Sequence, residues 1–305
     1  MDVESVVTIT ISGDDKKSLK EIFDLRGKTA IVTGGCTGLG YAVASRFAEA
    51  GASVVIASRD KKKGELIEKH LRGKFGYEVT YFPIDVKNVE ECYSLVGLTE
   101  KKYGKVDILV PAAATWYPRA FVDITPDEFD DILGTNLRGQ YFMVQAAARS
   151  MIKNKVEGKI VTIASVSYRS DDINKIAMMT HYNTSKGGVV SMTRGIAREL
   201  KQYGIGVNCV APGGMITVGA VNNNASAEEL YGEEWADDVA ENSIDTPIAD
   251  STDDVALMIF ALCTDMSGFM FGQVLDVDGG SQFSFQEKPW SYKMEGGVPG
   301  PTSGR

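Results

Sequence analysis

The chain has 305 residues, 44% of them hydrophobic and 24% charged, with a formal net charge of -9 at pH 7. These are ordinary globular values near the upper size for one continuous core, so one large domain is expected. The negative balance argues against a nucleic-acid or anionic-membrane surface. The longest apolar runs, such as 255–263, are too short to span a bilayer. Asp2 and Glu4, with no basic residue among the first five, do not fit a secretory signal. Cys36, Cys92, Cys209 and Cys263 stand far apart, which suits a reducing cytoplasm better than disulfides or zinc. His70 and His181 are the only histidines, so neither a histidine triad nor a multi-histidine metal site is expected.

Residues 1–22 read as an N-terminal extension, in which 6–11 alternates weakly like an edge strand. Asp14 or Asp15 is placed to cap a helix reaching Ile22 and Phe23. The core follows. Residues 28–32 form a short, β-branched apolar run expected to be a buried strand, and it breaks into the glycine-dense 33–40. From Tyr41 to Ala48 the spacing is helical. Strand, glycine turn and helix start together suggest a dinucleotide-phosphate site. Gly34 permits the tight turn, Gly38 lets backbone N–H groups approach a pyrophosphate, and Gly40 lets helix and strand pack closely. The spacing is G-x-x-x-G-x-G rather than G-x-G-x-x-G, so a purely structural turn stays open on this stretch alone.

A second strand, 52–57, ends at Ser58-Arg59-Asp60, and a charged helix runs from 61 to about 73. A third strand, 77–82, leads to Pro83-Ile84-Asp85-Val86; an amphipathic helix around 89–103 and a strand at 106–110 follow. Pro126 opens a helical segment, and 137–151 reads as a long helix. Residues 159–164 make a fifth strand, 185–203 a helix, and 206–210 a sixth strand. The acid-rich stretch 218–250 falls outside the alternation and is expected to be a substrate lid. A helix at 253–263, a last strand at 273–277 and a tail at 281–305 complete the chain. Strands alternating with helices in this way imply a parallel sheet covered on both faces.

Tyr182 and Lys186, four apart at a helix start, project from one face. The ammonium is expected to lower the phenol's pKa toward a working range. Such pairs arise by chance in most chains of this length. Order is what gives this one weight: it follows a strand ending in Ser165 and precedes one ending in Pro212-Gly213-Gly214-Met215-Ile216-Thr217.

Together with Thr33-Gly34, Gly38-Leu39-Gly40, Asp85-Val86, Asn136 and Val277-Asp278-Gly279-Gly280, these residues make the stretch 23–280 resemble the short-chain dehydrogenase/reductase family. The resemblance implies a single-domain α/β fold, a doubly wound, seven-stranded parallel sheet of Rossmann type. It also implies NAD(H)- or NADP(H)-linked oxidation of an alcohol or reduction of a ketone. Tyr182 would be the general acid or base, and Lys186 would hold the nicotinamide ribose. Ser165 would hydrogen-bond the substrate oxygen, with Ser167 a competitor, and Asn136 would hold a water in the proton relay. Thr217 and the backbone at Met215 would meet the carboxamide, Asp85 and Val86 the adenine, and the turn of Gly34, Thr37, Gly38, Leu39 and Gly40 the phosphates.

Two departures stand out. Pro111-Ala112-Ala113-Ala114 replaces the family's usual Asn-Asn-Ala-Gly. Backbone contacts at Pro111 and Ala113 to the adenosine ribose survive, but Pro111 removes a donor at the strand end and puts sheet-edge stability in question. The segment between Ser165 and Tyr182 is also a few residues longer than usual. Ser58 stands where an acid would select NAD(H), and Arg59 beside it can clamp a phosphate, which leans toward NADP(H). Asp60, and the lack of a basic residue at Thr37, keep NAD(H) open.

Trp116, Tyr117, Phe121, Met178, Met179 and the lid are expected to wall the pocket, with Trp116, Tyr117, Ser165 and Tyr182 meeting the substrate. Aromatics and methionines favour a bulky hydrophobic ketone or alcohol, steroids included. Hydroxysteroid dehydrogenases of this family, the 20β type in its N-terminal arm, look similar. A sugar-alcohol dehydrogenase, a 3-oxoacyl reductase, a cofactor-sensing binding module and a structural subunit are the alternatives. The long helices near 140–151 and 185–200 suggest a homotetramer. No metal, nucleic acid or membrane partner is expected.

Overall fold

The computed structural model describes residues 17–170, 178–215, 217, 248–249 and 252–280. The expected edge strand at 6–11, the tail at 281–305 and nearly all of the expected lid lie outside the described residues. In chain order come α1 (Leu19–Ile22), β1 (Thr29–Thr33), α2 (Gly38–Glu49), β2 (Ser53–Ser58), α3 (Lys61–Phe75) and β3 (Val79–Pro83). Then follow α4 (Val89–Tyr103), β4 (Ile108–Pro111), α5 (Pro126–Leu133), a π-turn (Gly134–Gly139), α6 (Gln140–Lys153) and β5 (Lys159–Ile163). The last are α7 (Thr180–Leu200), β6 (Gly206–Pro212), two short strands β7 (Gly214–Met215) and β8 (Ile248–Ala249), α8 (Thr252–Leu262) and β9 (Val274–Val277).

All five residues of β1 are buried, with Ala30 and Val32 in one hydrophobic cluster and Ile31 in another. A strand buried on both faces needs a helical layer on each. Phe47 of α2 and Ile259 of α8 pack on the first face; Leu95 of α4, Met143 of α6 and Ala197 of α7 pack on the second. Seven of the nine strands form one sheet in the order β3-β2-β1-β4-β5-β6-β9, every pair parallel, and β7 pairs with β8 apart from it. The order reverses between β1 and β4, and open α/β sheets bind ligands at that crevice. All four cysteines are buried and free. Among the described residues no helix is long and apolar enough to cross a membrane.

Several boundaries differ from expectation. Ser18 caps α1, in a capping box with Glu21, and the expected caps Asp14 and Asp15 lie outside the described residues. β3 starts at Val79 rather than 77, because Gly76 closes α3 in the left-handed region at φ 75°. The helix expected from 137 starts instead at Gln140, behind the π-turn. Helix α7 begins at Thr180, five residues before the expected start at 185. Pro111 does not sit at a sheet edge: β4 lies between β1 and β5. The Ala112 N–H continues toward β1, donating to the Thr33 carbonyl at 3.1 Å. The donor that Pro111 lacks faces β5, where the ladder has already stopped at Leu109 opposite Ile160.

Candidate active site

The glycine turn fits a nucleotide's phosphates. Helix α2 starts at Gly38, and its N-cap Thr37 makes no side-chain hydrogen bond to the first turn. The Thr37 side chain therefore leaves the first-turn amides pointing out of the helix toward the crevice. Gly34 has φ 68°, and a Cβ there would lie 2.9 Å from the Ala113 backbone. At Gly40 a Cβ would lie 2.3 Å from the Gly34 carbonyl oxygen, which is why helix and turn approach so closely. Gly35, which sequence reasoning passed over, is fixed in the same way: a Cβ would lie 2.9 Å from Ile56 Cγ2. Leu39 turns inward to the core. Thr217 reaches the turn, its Cγ2 being 3.4 Å from where a Gly38 Cβ would stand. A cradle of close-packed glycines under an uncapped helix end suits a dinucleotide pyrophosphate.

Along the crevice, Ser58 donates through Oγ to Cys36 Sγ at 3.2 Å, and its carbonyl accepts from the Tyr81 hydroxyl at 2.8 Å. Arg59 is exposed, while Asp60 caps α3 by accepting from the Lys63 N–H at 3.0 Å. The Asp60 carboxylate is thereby turned toward its own helix. Asp85 accepts from the Lys87 N–H at 2.9 Å, and Val86 packs within 3.0 Å of where a Gly139 Cβ would be. Met215 is partly buried against the core, on the short strand that pairs with β8.

The reacting groups come from three elements. Ser165 ends β5's extension and caps a 3-10 turn (Val166–Arg169); its Oγ accepts from the Ser167 N–H at 3.2 Å and donates to Ser167 Oγ at 3.1 Å. The two serines, alternatives on sequence, are joined, and Ser165 is the one whose side chain draws the Tyr182 pKa downward. Lys186 is 1% exposed. Its Nζ donates to the Ile163 carbonyl at 3.0 Å and lies 5.4 Å from the Tyr182 ring centroid.

The phenol's pKa runs opposite to expectation. Burial pushes Tyr182 up to about 12, against the pull of the Ser165 hydrogen bond. Burial also pushes the Lys186 ammonium down to about 8. Removal from water disfavours both charged forms, and Lys186 directs its bond to a backbone carbonyl rather than to the phenolic oxygen. At neutral pH the phenol is a proton donor beside a still-charged ammonium.

Asn136 is fully buried in the π-turn. Its Oδ1 accepts from the Thr115 N–H at 2.8 Å, and Nδ2 donates to the Thr115 carbonyl at 2.8 Å and to Ser185 Oγ at 3.1 Å. Both Nδ2 hydrogens are engaged by protein, so this side chain anchors the segment after β4 to α7. Gln140 was missed on sequence: it is 2% exposed, and its carboxamide bonds to the backbone at Asn136 and Ile163. A buried polar residue opening a helix was the only sign of it.

Tyr117 and Phe121, both expected to wall the pocket, have the following partners. Tyr117 donates its hydroxyl to the Glu128 carbonyl at 3.1 Å and packs edge-on against His181, so it braces α5 against α7. Phe121 lines a cavity of ≈ 430 Å³ with Ile124, Pro126, Phe129, Thr180 and His181. None of Asn136, Ser165, Tyr182 and Lys186 is in its walls. Trp116 is partly buried, and the Met178 carbonyl accepts from the Arg119 N–H at 2.7 Å, tying the segment after β4 to the start of α7.

The family model described as "Enoyl-(Acyl carrier protein) reductase" matches residues 34–282. The chain is 31% identical over 258 residues to 3-oxoacyl-[acyl-carrier-protein] reductase FabG of Chlamydia pneumoniae, covering 84% of this chain and 97% of that protein. It is 32% identical over 259 residues to L-rhamnose-1-dehydrogenase of Scheffersomyces stipitis, covering 84% and 96%. A crystal structure of a short-chain type dehydrogenase/reductase from Mycobacterium marinum superposes with a TM-score of 0.78 at 31% identity, covering 87% of this chain and 100% of that one. With this likeness running through turn, sheet and tyrosine helix alike, the chain belongs to the short-chain dehydrogenase/reductase family and is an oxidoreductase of CH–OH and keto groups that works with a nicotinamide coenzyme.

Proposed function

We propose that the protein interconverts a bulky, largely apolar ketone and its secondary alcohol, with Tyr182 giving the proton in reduction and taking it in oxidation. The observation that carries this reading is the grouping of Ser165, Tyr182 and Lys186, with the Lys186 ammonium 5.4 Å from the Tyr182 ring and the Ser165 side chain bearing on the phenol. The bound nicotinamide supplies or accepts the hydride. The Tyr182 phenol, protonated at neutral pH, donates to the substrate oxygen, and Ser165 hydrogen-bonds the same oxygen as charge develops there. Lys186 places positive charge under the phenol and is positioned for the coenzyme ribose. Gly34, Thr37, Gly38, Leu39 and Gly40 hold the phosphates, Asp85 and Val86 the adenine, Pro111 and Ala113 the adenosine ribose, and Met215 and Thr217 the carboxamide. Exposed Arg59, with Asp60 turned to its own helix, favours NADP(H).

A 3-oxoacyl thioester is the substrate class this reading puts first, since the FabG relative carries that name and an acyl chain is bulky and apolar. A sugar is the second, favoured by the rhamnose dehydrogenase relative. The narrower steroid expectation finds no support in these relatives and is withdrawn. Four buried free cysteines suit a cytoplasmic setting. Tyr141, 43% exposed on α6, and the length of α6 and α7 support a homotetramer built on these helices; a monomer by light scattering at micromolar concentration overturns that.

The test is a panel of oxoacyl thioesters, apolar ketones and sugars followed at the nicotinamide absorbance with each coenzyme. Tyr182→Phe is expected to lose turnover by roughly a thousandfold or more while binding coenzyme normally. Near-normal turnover in that variant overturns the assignment. Arg59→Ala is expected to weaken NADP(H) about tenfold and leave NAD(H) unchanged, read as the two coenzyme KM values; equal effects on both sink the preference.

A further inference from the structure

We propose that Gln140 is a positioning residue of the acid–base site, its carboxamide standing in for the strand residues that β4 gives up at Pro111 and so fixing the carbonyl that holds Lys186. Ile163 closes β5. Its neighbour Ala164 donates to β6, to the Val210 carbonyl at 2.8 Å. Successive residues of a strand point their backbone groups to opposite sides, so the Ile163 N–H and C=O face β4. The β4–β5 ladder stops at Leu109 opposite Ile160, and Pro111 has no N–H to extend it. Two buried backbone groups would be left without strand partners at the floor of the site.

Gln140 supplies both. Its Oε1 accepts from the Ile163 N–H at 3.1 Å, and its Nε2 donates to the Ile163 carbonyl at 3.0 Å. The second Nε2 hydrogen goes to the Asn136 carbonyl at 3.0 Å, joining the π-turn to the same point. A carboxamide has the donor and acceptor arrangement of a peptide group, and Gln140 uses it as one. The Ile163 carbonyl then takes a second donor, the Lys186 Nζ at 3.0 Å. Lys186, fully packed and bound through this oxygen, is therefore placed by whatever places Ile163. Glutamine 140, proline 111 and lysine 186 form one arrangement.

The role at turnover rests on the oxidoreductase reading; the placement of Lys186 does not, and the test separates them. In the free protein, Gln140→Leu is expected to speed exchange of the Ile163 amide about tenfold or more by mass spectrometry. Lysine NMR is expected to show the Lys186 titration moving up by about half a pH unit or more, since the ammonium no longer shares its acceptor. In turnover, kcat is expected to fall about tenfold with KM little changed, and its pH profile to move in the same sense as the titration. Should Gln140→Leu fail to fold, Gln140→Met, which keeps the length and loses the carboxamide's donor and acceptor without adding charge, carries the same readings. A folded variant with unmoved Ile163 exchange and Lys186 titration overturns the proposal. A lower thermal midpoint with an unmoved titration also overturns it, reducing Gln140 to packing. A wild-type protein that turns over nothing defeats the oxidoreductase reading, and the free-protein measurements then decide Gln140 alone.

Discussion

Lys186 makes the fold's stability depend on pH in a direction that can be worked out. Its folded pKa of about 8 lies below the ordinary lysine value. Between these two values the unfolded chain holds the proton and the fold releases it, so the unfolded state binds more protons and stability rises with pH. The rise amounts to at most roughly 3 kcal/mol. Lys186→Met is expected to remove this contribution, seen as a parent-minus-variant difference in urea-unfolding free energy that rises between about pH 8 and about pH 10. Tyr182 acts oppositely and later: with its folded pKa raised to about 12, stability falls once the unfolded phenol ionises. Gly40 answers to sterics instead. A Cβ 2.3 Å from the Gly34 oxygen cannot be relieved by a side-chain movement, because both atoms belong to backbone. Gly40→Ala is expected to cost roughly 3 kcal/mol and to weaken coenzyme binding, both measurable by thermal shift with and without coenzyme. The glycines' importance was legible in sequence. The direction of the phenol's pKa was not, because burial decides it and the Tyr-Lys spacing says nothing about burial.

Helices were easier to foresee than their ends. α5 opens with Pro126 behind Thr125, whose side chain accepts from the Glu128 N–H while Glu128 reaches back, a complete capping box. Thr125→Ala is expected to cost about 1 kcal/mol in chemical denaturation and to leave coenzyme affinity unchanged, since the cap bonds only within its own helix start. The local motif marks that start plainly. The break before α6 carries no such motif. Residues 137–139 have helical character, yet Gly134–Gly139 winds as a π-turn. Asn136, in the middle of it, holds Thr115 and Ser185 across the fold. Gly139 lets the turn lie against Val86. Partners twenty or more residues away set the winding, so periodicity could not announce it. Pro111 teaches the same lesson, since its cost depends on which strand lies beside it.

At the scale of the molecule, one sheet with a core on each face should unfold as a unit. Phe47 is fully buried and packs beside Phe260 of α8, with ring centroids 6.2 Å apart. Phe47→Ala is expected to cost about 4 kcal/mol and to lower the whole transition without splitting it, followed by circular dichroism and tryptophan fluorescence together. The alternation of strands and helices, the glycine turn and the tyrosine helix could be read from the residues themselves, because each is a pattern of near neighbours that the backbone enforces locally. Tyr117's use as a brace, the capture of both Asn136 amide hydrogens and the Gln140 bridge at the end of β5 could not. Each joins residues distant in the chain, and only close packing determines which groups lose water and which partners they find.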